Sequence, residues 1–351
     1  VIALASSEFL SALGGARVPR MSDAGPKSRI LGTGHYAPLK VLSNVDLEKL
    51  VDTSDDWITE RTGIRRRHVA AEGEVTSDMA AQAGRRALEA AGLNPADLDL
   101  IIVATVTPDS PTPSCAAHVQ RKLGADEIPA FDLSAACGGF LFGLTIADQY
   151  IRTGEANVVL VIGVELLTRV VNWGDRSTCV LFGDGAGAVL LGPARGDGRG
   201  LLATRIFTDG GLAGALHIPG GGSAEPYSPE VIEQRRNKVH MVGQDVFRVA
   251  VKNLTSASTQ VIKAAGLAST ELDWVVAHQA NLRIITQVAQ RLGFPLERFV
   301  LNIDEYGNTS SASIPIALDE AVRSGRVVPG QTLLFCALGA GISWGAAVAR
   351  L

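Results

Sequence analysis

The chain has 351 residues, 46% of them hydrophobic and 19% charged, enough apolar material to bury a large core and to suggest about two domains. Its net charge of −4 argues against nucleic acid as a bulk partner, because phosphate binding needs a concentrated basic surface. No run approaches the ~18 apolar residues of a membrane span. The four cysteines, Cys115, Cys137, Cys179 and Cys336, are scattered in apolar contexts with no CxxC pair. That fits a reducing cytoplasm and supplies no metal-ligand spacing.

Taken in order, residues 1–20 carry Glu8 inside their apolar run and no basic residue before it, so they do not read as a signal peptide. Residues 1–27 are expected to form a disordered or non-native extension, dispensable for the fold, with Met21 as the natural start. Residues 29–36 (RILGTGHY) predict a strand, and Ser43 and Asn44 can cap a helix running through Leu50. The following DTSDDWITERTGIRRRHV sets Trp57 among acids and the arginines Arg61, Arg65, Arg66 and Arg67. An aromatic face beside cations suits a stacked base with its phosphates; a solvated helix end with a half-buried tryptophan is the plainer reading. Residues 79–91 predict an amphipathic helix and residues 98–105 a β-branched strand.

The stretch from 128 to 151, IPAFDLSAACGGFLFGLTIADQYI, reads as a short buried strand (128–133) delivering Cys137 to the start of a helix. Phe140, Leu144, Ala147, Tyr150 and Ile151 then recur at helical spacing. Gly138 and Gly139 allow a sharp turn and close approach of another segment. A thiol there is expected to feel the positive end of the helix and to be held toward the thiolate, the nucleophilic form. By itself Cys137 fits equally a small buried hydrophobe.

The chain then repeats itself. AAGLNPADLD at 90–99 returns as AAGLASTELD at 264–273, RKLG at 121–124 as QRLG at 290–293, and IRTG at 151–154 as VRSG at 322–325. Matches in one order at nearly one offset point to two duplicated α/β halves. Each half is expected to run strand, helix, strand, helix, strand and Gly-rich hairpin, giving a layered α/β/α/β/α fold divided as 28–195 and 196–351. FGDGAGAVLL (182–191) closes the first half and LGAGISWGAAVARL (338–351) the second. In the second half, a strand at 272–277 ends in HQAN and a strand at 299–303 leads to YGNTSSAS. The repeat places His278 and Asn308 on turns equivalent to those near Cys137. Singly, each also reads as a structural residue.

Together, GTGHYAP, DTSDDWITERTGI, AACGGF, FGDGAG, HQANLRI, YGNTSSAS and GAGISWG resemble the β-ketoacyl-[acyl carrier protein] synthase III family of thiolase-fold condensing enzymes, from about residue 28 to the end. The resemblance implies that Cys137 is the acylated nucleophile and that His278 and Asn308 complete a Cys-His-Asn triad. It implies that Trp57 and Arg176 sandwich the adenine of coenzyme A, that Arg61 and Thr62 lie near its phosphates and adenine, and that Met241 and Asn281 line a pantetheine tunnel. Thr112 matches a gate on the neighbouring subunit's acyl pocket. It also implies a cytoplasmic homodimer, acyl-CoA and malonyl-acyl carrier protein as substrates, and no metal or other cofactor. The N–H groups of Cys137 and Ala340 are expected to receive the oxyanion; Ala340 departs from the family's usual glycine, which matters only if the turn needs positive φ. Because the carrier is acidic, Arg248, Arg283 and Arg291 are candidate docking contacts. Rival readings are a starter-unit ketosynthase or acyltransferase of a secondary-metabolite pathway, a papain-like hydrolase, and a non-catalytic scaffold.

Overall fold

The computed structural model describes residues 28–351; the expectation for residues 1–27 lies outside the described residues. The first half runs β1 (Ser28–Tyr36), β2 (Lys40–Ser43), α1 (Asn44–Leu47), α2 (Asp55–Thr62), β3 (Arg66–Val69), α3 (Thr76–Ala91), β4 (Leu100–Ala104), α4 (Cys115–Leu123), β5 (Ala130–Leu133), α5 (Gly139–Thr153), β6 (Val159–Leu166), α6 (Arg176–Cys179) and β7 (Asp184–Pro193). The second runs β8 (Gly200–Thr208), β9 (Leu216–His217), α7 (Pro229–Glu233), β10 (His240–Met241), α8 (Gly243–Ala264), β11 (Trp274–Ala277), α9 (Leu282–Leu292), α10 (Ile303–Tyr306), α11 (Ser313–Arg323), β12 (Thr332–Gly339) and β13 (Ser343–Arg350).

Two mixed sheets organise these elements, one of order β1-β7-β6-β4-β5 and one of order β11-β12-β13-β8. β4 and β6 are buried at every residue, as continuous apolar runs must be when helices cover both faces. Helices α3 and α4 pack on the outside of the five-stranded sheet, α5 and α11 lie between the sheets, and α8 and α9 cover the four-stranded sheet. The result is the expected five-layer α/β/α/β/α order. Cys115, Cys179 and Cys336 are all buried in it.

The internal repeat has a physical counterpart in local geometry. At matched sites, the Asp99 amide donates to the Val158 carbonyl at 2.9 Å and the Asp273 amide to the Thr332 carbonyl at 2.8 Å. Their carboxylates each accept a backbone amide from the same incoming segment, Val158 and Thr332. The aspartate of each PADLD-like repeat thus pins the start of the next parallel strand, which explains why it recurs.

Four expectations need correction. The helix begun by the Ser43 cap ends at Leu47, not Leu50, because the Lys49 and Leu50 amides turn back to the Asp46 and Leu47 carbonyls in tighter, three-residue turns. The strand leading to Cys137 is half-buried throughout, because β5 is the edge of its sheet. No strand forms at 299–303; Phe299 makes one isolated bridge to Val275, since Ile303 already opens α10. Arg67 is no phosphate ligand. It is fully buried and donates to the Leu42 carbonyl, Asn44 Oδ1 and the Val180 carbonyl at 3.2, 2.8 and 2.8 Å.

Candidate active site

The two central helices begin in the same way. Cys137 occupies a 3₁₀ turn, Ala136–Gly138, immediately before α5, and Ser310–Ala312 forms the matching turn before α11. In each, the first residue takes a left-handed φ, 46° at Ala136 and 50° at Ser310. The repeat therefore sets Ser311 opposite Cys137. Against the first turn lies the end of β12, where a methyl group on Gly339 would overlap the Cys137 amide nitrogen. This is the close approach that a glycine permits. The positive φ of the adjoining turn falls at Gly341, 130°, so Ala340 adopts its place without left-handed strain.

Cys137, His278 and Asn308 line one cavity of about 680 Å³. All three are nearly enclosed, at 7%, 5% and 6% exposure, and that burial bears on the ionisation of Cys137 and His278. Burial pushes the Cys137 thiol up to about 12, against a smaller downward pull from a Ser310 hydrogen bond. Burial thus works against the thiolate that the helix start is expected to favour. Burial also pushes His278 down to about 3. Burial therefore favours the neutral form of both side chains.

Hydrogen bonds fix what His278 and Asn308 present. The Ser313 hydroxyl accepts from the Gln279 amide at 3.4 Å and lies 2.6 Å from His278 Nδ1. In the tautomer where this hydroxyl donates to Nδ1, His278 carries its hydrogen on Nε2 and can donate it to the cavity. Asn308 Oδ1 accepts from the Ser310 amide at 2.9 Å, which leaves its NH₂ as the free end. Two neutral donors beside one thiol suit a site where negative charge develops on a substrate oxygen.

Of the residues expected to hold coenzyme A, Trp57, Arg61, Thr62, Met241 and Asn281 line the same cavity. Arg176 lies directly over Trp57, 4.7 Å from its ring centre, and donates to the Asp52 carbonyl at 2.8 Å. The Arg61 guanidinium lies 5.8 Å from the centre of the same ring. Thr62 is buried and its hydroxyl serves the Ile58 carbonyl and the Ile64 amide. Asn281 caps α9 through the Arg283 amide and clips to the Arg61 carbonyl at 3.1 Å, so it ties α9 to α2 at the cavity wall.

Other expected residues stand apart. Thr112 is exposed on the loop before α4 and does not line this chain's cavity. Arg283 flanks the cavity with its guanidinium over Phe247, Arg248 pairs with Asp245 on α8, and Arg291 lies in the last turn of α9. Sequence reasoning missed Glu165, Ser310, Ser313 and Gly339. Glu165 carries the one available signal, a carboxylate near the end of the apolar run VLVIGVEL.

Two related sheets around paired central helices, with a buried cysteine where one helix starts, define a thiolase-fold condensing enzyme that transfers acyl groups. Family models described as "3-Oxoacyl-[acyl-carrier-protein (ACP)] synthase III" and its "C terminal" match residues 131–210 and 262–351. A β-ketoacyl-[acyl-carrier-protein] synthase III of Methylococcus capsulatus is 51% identical over 323 residues, 92% of this chain and 98% of the relative. The crystal structure of 3-oxoacyl-[acyl-carrier-protein] synthase III from Aquifex aeolicus superposes with a TM-score of 0.86 at 47% identity, covering 92% of this chain and 100% of that one. The priming β-ketosynthase of the R1128 polyketide biosynthetic pathway has the same TM-score, 0.86, at 39% identity, covering 96% and 98%. The chain belongs to the β-ketoacyl-[acyl-carrier-protein] synthase III family.

Proposed function

We propose that the protein condenses an acyl-CoA primer with malonyl-acyl carrier protein, yielding 3-oxoacyl-acyl carrier protein, CO₂ and CoA, and so initiates fatty acid biosynthesis in the cytoplasm. The observation that carries this reading is the placement of one thiol and two neutral hydrogen-bond donors on a single enclosed cavity whose mouth bears Trp57, Arg61 and Arg283. In the first half-reaction Cys137 attacks the primer thioester, with the amides of Cys137 and the 340 turn as candidate oxyanion donors, and CoA leaves. In the second, malonyl loses CO₂ and the enolate oxygen meets His278 Nε2–H and the Asn308 amide before its carbon attacks the acyl-cysteine. No step calls on a metal or redox cofactor.

A homodimer is supported by β5, an edge strand left half-exposed, and by Thr112, which is exposed and does not line its own cavity. Arg248, Arg283 and Arg291 supply cations on α8 and α9 in an acidic chain and are the carrier-docking candidates. The 51% relative favours fatty acid synthesis; the 39% likeness to a priming ketosynthase keeps a starter-unit role as the second reading. Among the described residues no helix is long and apolar enough to cross a membrane. The test is intact-protein mass spectrometry after exposure to acetyl- or butyryl-CoA, followed by malonyl carrier and a CO₂ assay. Acylation of wild type but not of Cys137→Ala is expected; persistent acylation of the variant would remove Cys137 from its role.

A further inference from the structure

Asn308 can donate to a substrate oxygen only while its amide nitrogen points into the cavity. Its backbone is fixed from one side, the Asn308 amide donating to the Leu181 carbonyl at 2.9 Å and the Asn308 carbonyl accepting from the Gly183 amide at 3.1 Å. The side chain is held differently. Its Oδ1 accepts from the Ser310 amide at 2.9 Å, and among the described residues this is the one hydrogen bond that the side chain makes. Which way the Asn308 amide points therefore follows the orientation of the Ser310 backbone.

Ser310 keeps that orientation against its own preference. Its φ of 50° lies in the left-handed region, which a residue with a Cβ visits rarely and holds only where its surroundings enforce it. Strand β6 supplies the enforcement. Gly163 and Glu165 stand two residues apart on it and so face the same side. A methyl group on Gly163 would overlap the Ser311 carbonyl, so the turn lies directly on the strand. Glu165 Oε1 accepts from the Ser310 hydroxyl at 3.2 Å. Ser311 Oγ lies 3.4 Å from the same oxygen but donates its proton to the Ala104 carbonyl at 2.8 Å, so the Ser310 hydroxyl is the one that Oε1 holds. The other carboxylate oxygen is the anchor: Oε2 accepts from the Thr107 hydroxyl at 2.7 Å, the Val106 amide at 3.1 Å and the Thr105 hydroxyl at 3.3 Å. Glu165 is fully buried among these hydroxyls and one amide, a costly place for a carboxylate and one that filling space would not require.

We infer that Glu165 is a positioning residue for condensation: anchored on the segment after β4, it holds the Ser310 hydroxyl, keeps Ser310 in its left-handed turn and thereby aims the Asn308 amide nitrogen into the cavity. The contacts run from Glu165 Oε1 to Ser310 Oγ, and from the Ser310 amide to Asn308 Oδ1. No proton moves along them. The inference rests on the role proposed above for Asn308, whose NH₂ meets the enolate oxygen. A glutamine at position 165 can keep the hold, its carbonyl oxygen taking the Thr107, Val106 and Thr105 donors and its NH₂ donating to Ser310 Oγ, whereas alanine cannot.

The test compares wild type, Glu165→Gln, Glu165→Ala, Ser310→Ala and Asn308→Ala in two assays: single-turnover acylation by acetyl-CoA, and condensation of the acyl-enzyme with malonyl-acyl carrier protein read as CO₂. Ser310→Ala cuts the path at its middle, and alanine fits there, since Ala136 holds nearly the same φ in the matching turn. Glu165→Ala and Ser310→Ala are expected to slow condensation about 10- to 10²-fold, as for a misplaced reacting group, with KM for acyl-CoA unchanged and acylation far less affected. Glu165→Gln is expected to stay close to wild type. In the Asn308→Ala background neither alanine substitution is expected to slow condensation further, because groups acting through one another do not add. Losses that add to that of Asn308→Ala, that fall equally on acylation, or that are as deep in Glu165→Gln as in Glu165→Ala overturn the inference and leave the condensation reading in place. Should Glu165→Ala fail to fold, Ser310→Ala and Glu165→Gln decide. Undiminished condensation by Asn308→Ala would instead remove the parent reading.

Discussion

His278 and Asn308 offer hydrogens but no base, and this separates their part from that of Cys137. His278→Ala and Asn308→Ala are each expected to self-acylate from acyl-CoA yet to lose condensation by on the order of 10² to 10³ in rate, as for a lost oxyanion donor. Rapid-quench measurement of acyl-enzyme and CO₂ in the same reaction checks this; equal losses in both steps would refute the division. Gly339 sets the other side of the site. A methyl there would overlap the Cys137 amide nitrogen, so Gly339→Ala is expected to displace the turn and depress acylation at least 10-fold, within the cost of overpacking by about 1–3 kcal/mol. Activity at wild-type level in a folded Gly339→Ala protein would show that the turn yields without consequence. Cys137, His278 and Asn308 are visible in the chain because each sits in a small polar motif after an apolar run. Glu165, Ser310 and Ser313 are not, because each acts through contacts with segments far off in sequence.

At the scale of elements, the repeat carries the layer order because the same helix ends and pinning aspartates recur in each half. Edge position is different. Residues 128–133 read as a buried strand, and only the pairing order of the sheet leaves the strand that forms, Ala130–Leu133, at its margin. Arg67 likewise looks like a surface cation beside Arg65 and Arg66, since nothing local reveals that acceptors from β2, α1 and the segment at Val180 enclose it. It fastens the β2-β3 hairpin to the wall of the cavity at Val180. Arg67→Met is expected to lower unfolding free energy by about 3 kcal/mol, because the substitution strands buried acceptors, and to raise the KM for acyl-CoA. Urea denaturation and steady-state kinetics provide the check; an unchanged midpoint would mean that water replaces the guanidinium without loss.

For the whole molecule, two buried groups oppose one another as pH changes. Glu165, raised from 4.5 to about 7, binds more proton folded than unfolded between those values, so its contribution is full below about 4.5 and is lost as pH rises through 7. His278, lowered from 6.5 to about 3, stays neutral when folded, so its contribution is full above 6.5 and is lost as pH falls toward 3. Between pH 4.5 and 6.5 the two slopes cancel. Removing the falling one in Glu165→Gln is expected to make Tm climb across that window relative to wild type; parallel profiles would show that Glu165 does not titrate there. The proposed second subunit gives Thr112 its test. Because Thr112 lies off its own cavity, any effect on primer length must reach across a dimer. Thr112→Phe is expected to shift kcat/KM toward acetyl-CoA and away from octanoyl-CoA, each lost methylene site removing roughly 0.8 kcal/mol. An unchanged chain-length preference would exclude the gate.

The stack of Arg176 on Trp57 bears on the order in which two thioesters use one entrance. A nucleotide base seeking that ring must first part the guanidinium from it and from the Asp52 carbonyl, giving up a contact of about 0.5–1 kcal/mol. If adenine stacks there as proposed, part of its attraction would be offset before it is felt, and the guanidinium, returning to the ring, would compete with spent CoA. A phosphopantetheine arm borne on a carrier has no base to insert. On the proposed reading the same two side chains would therefore act on the first substrate and be indifferent to the second.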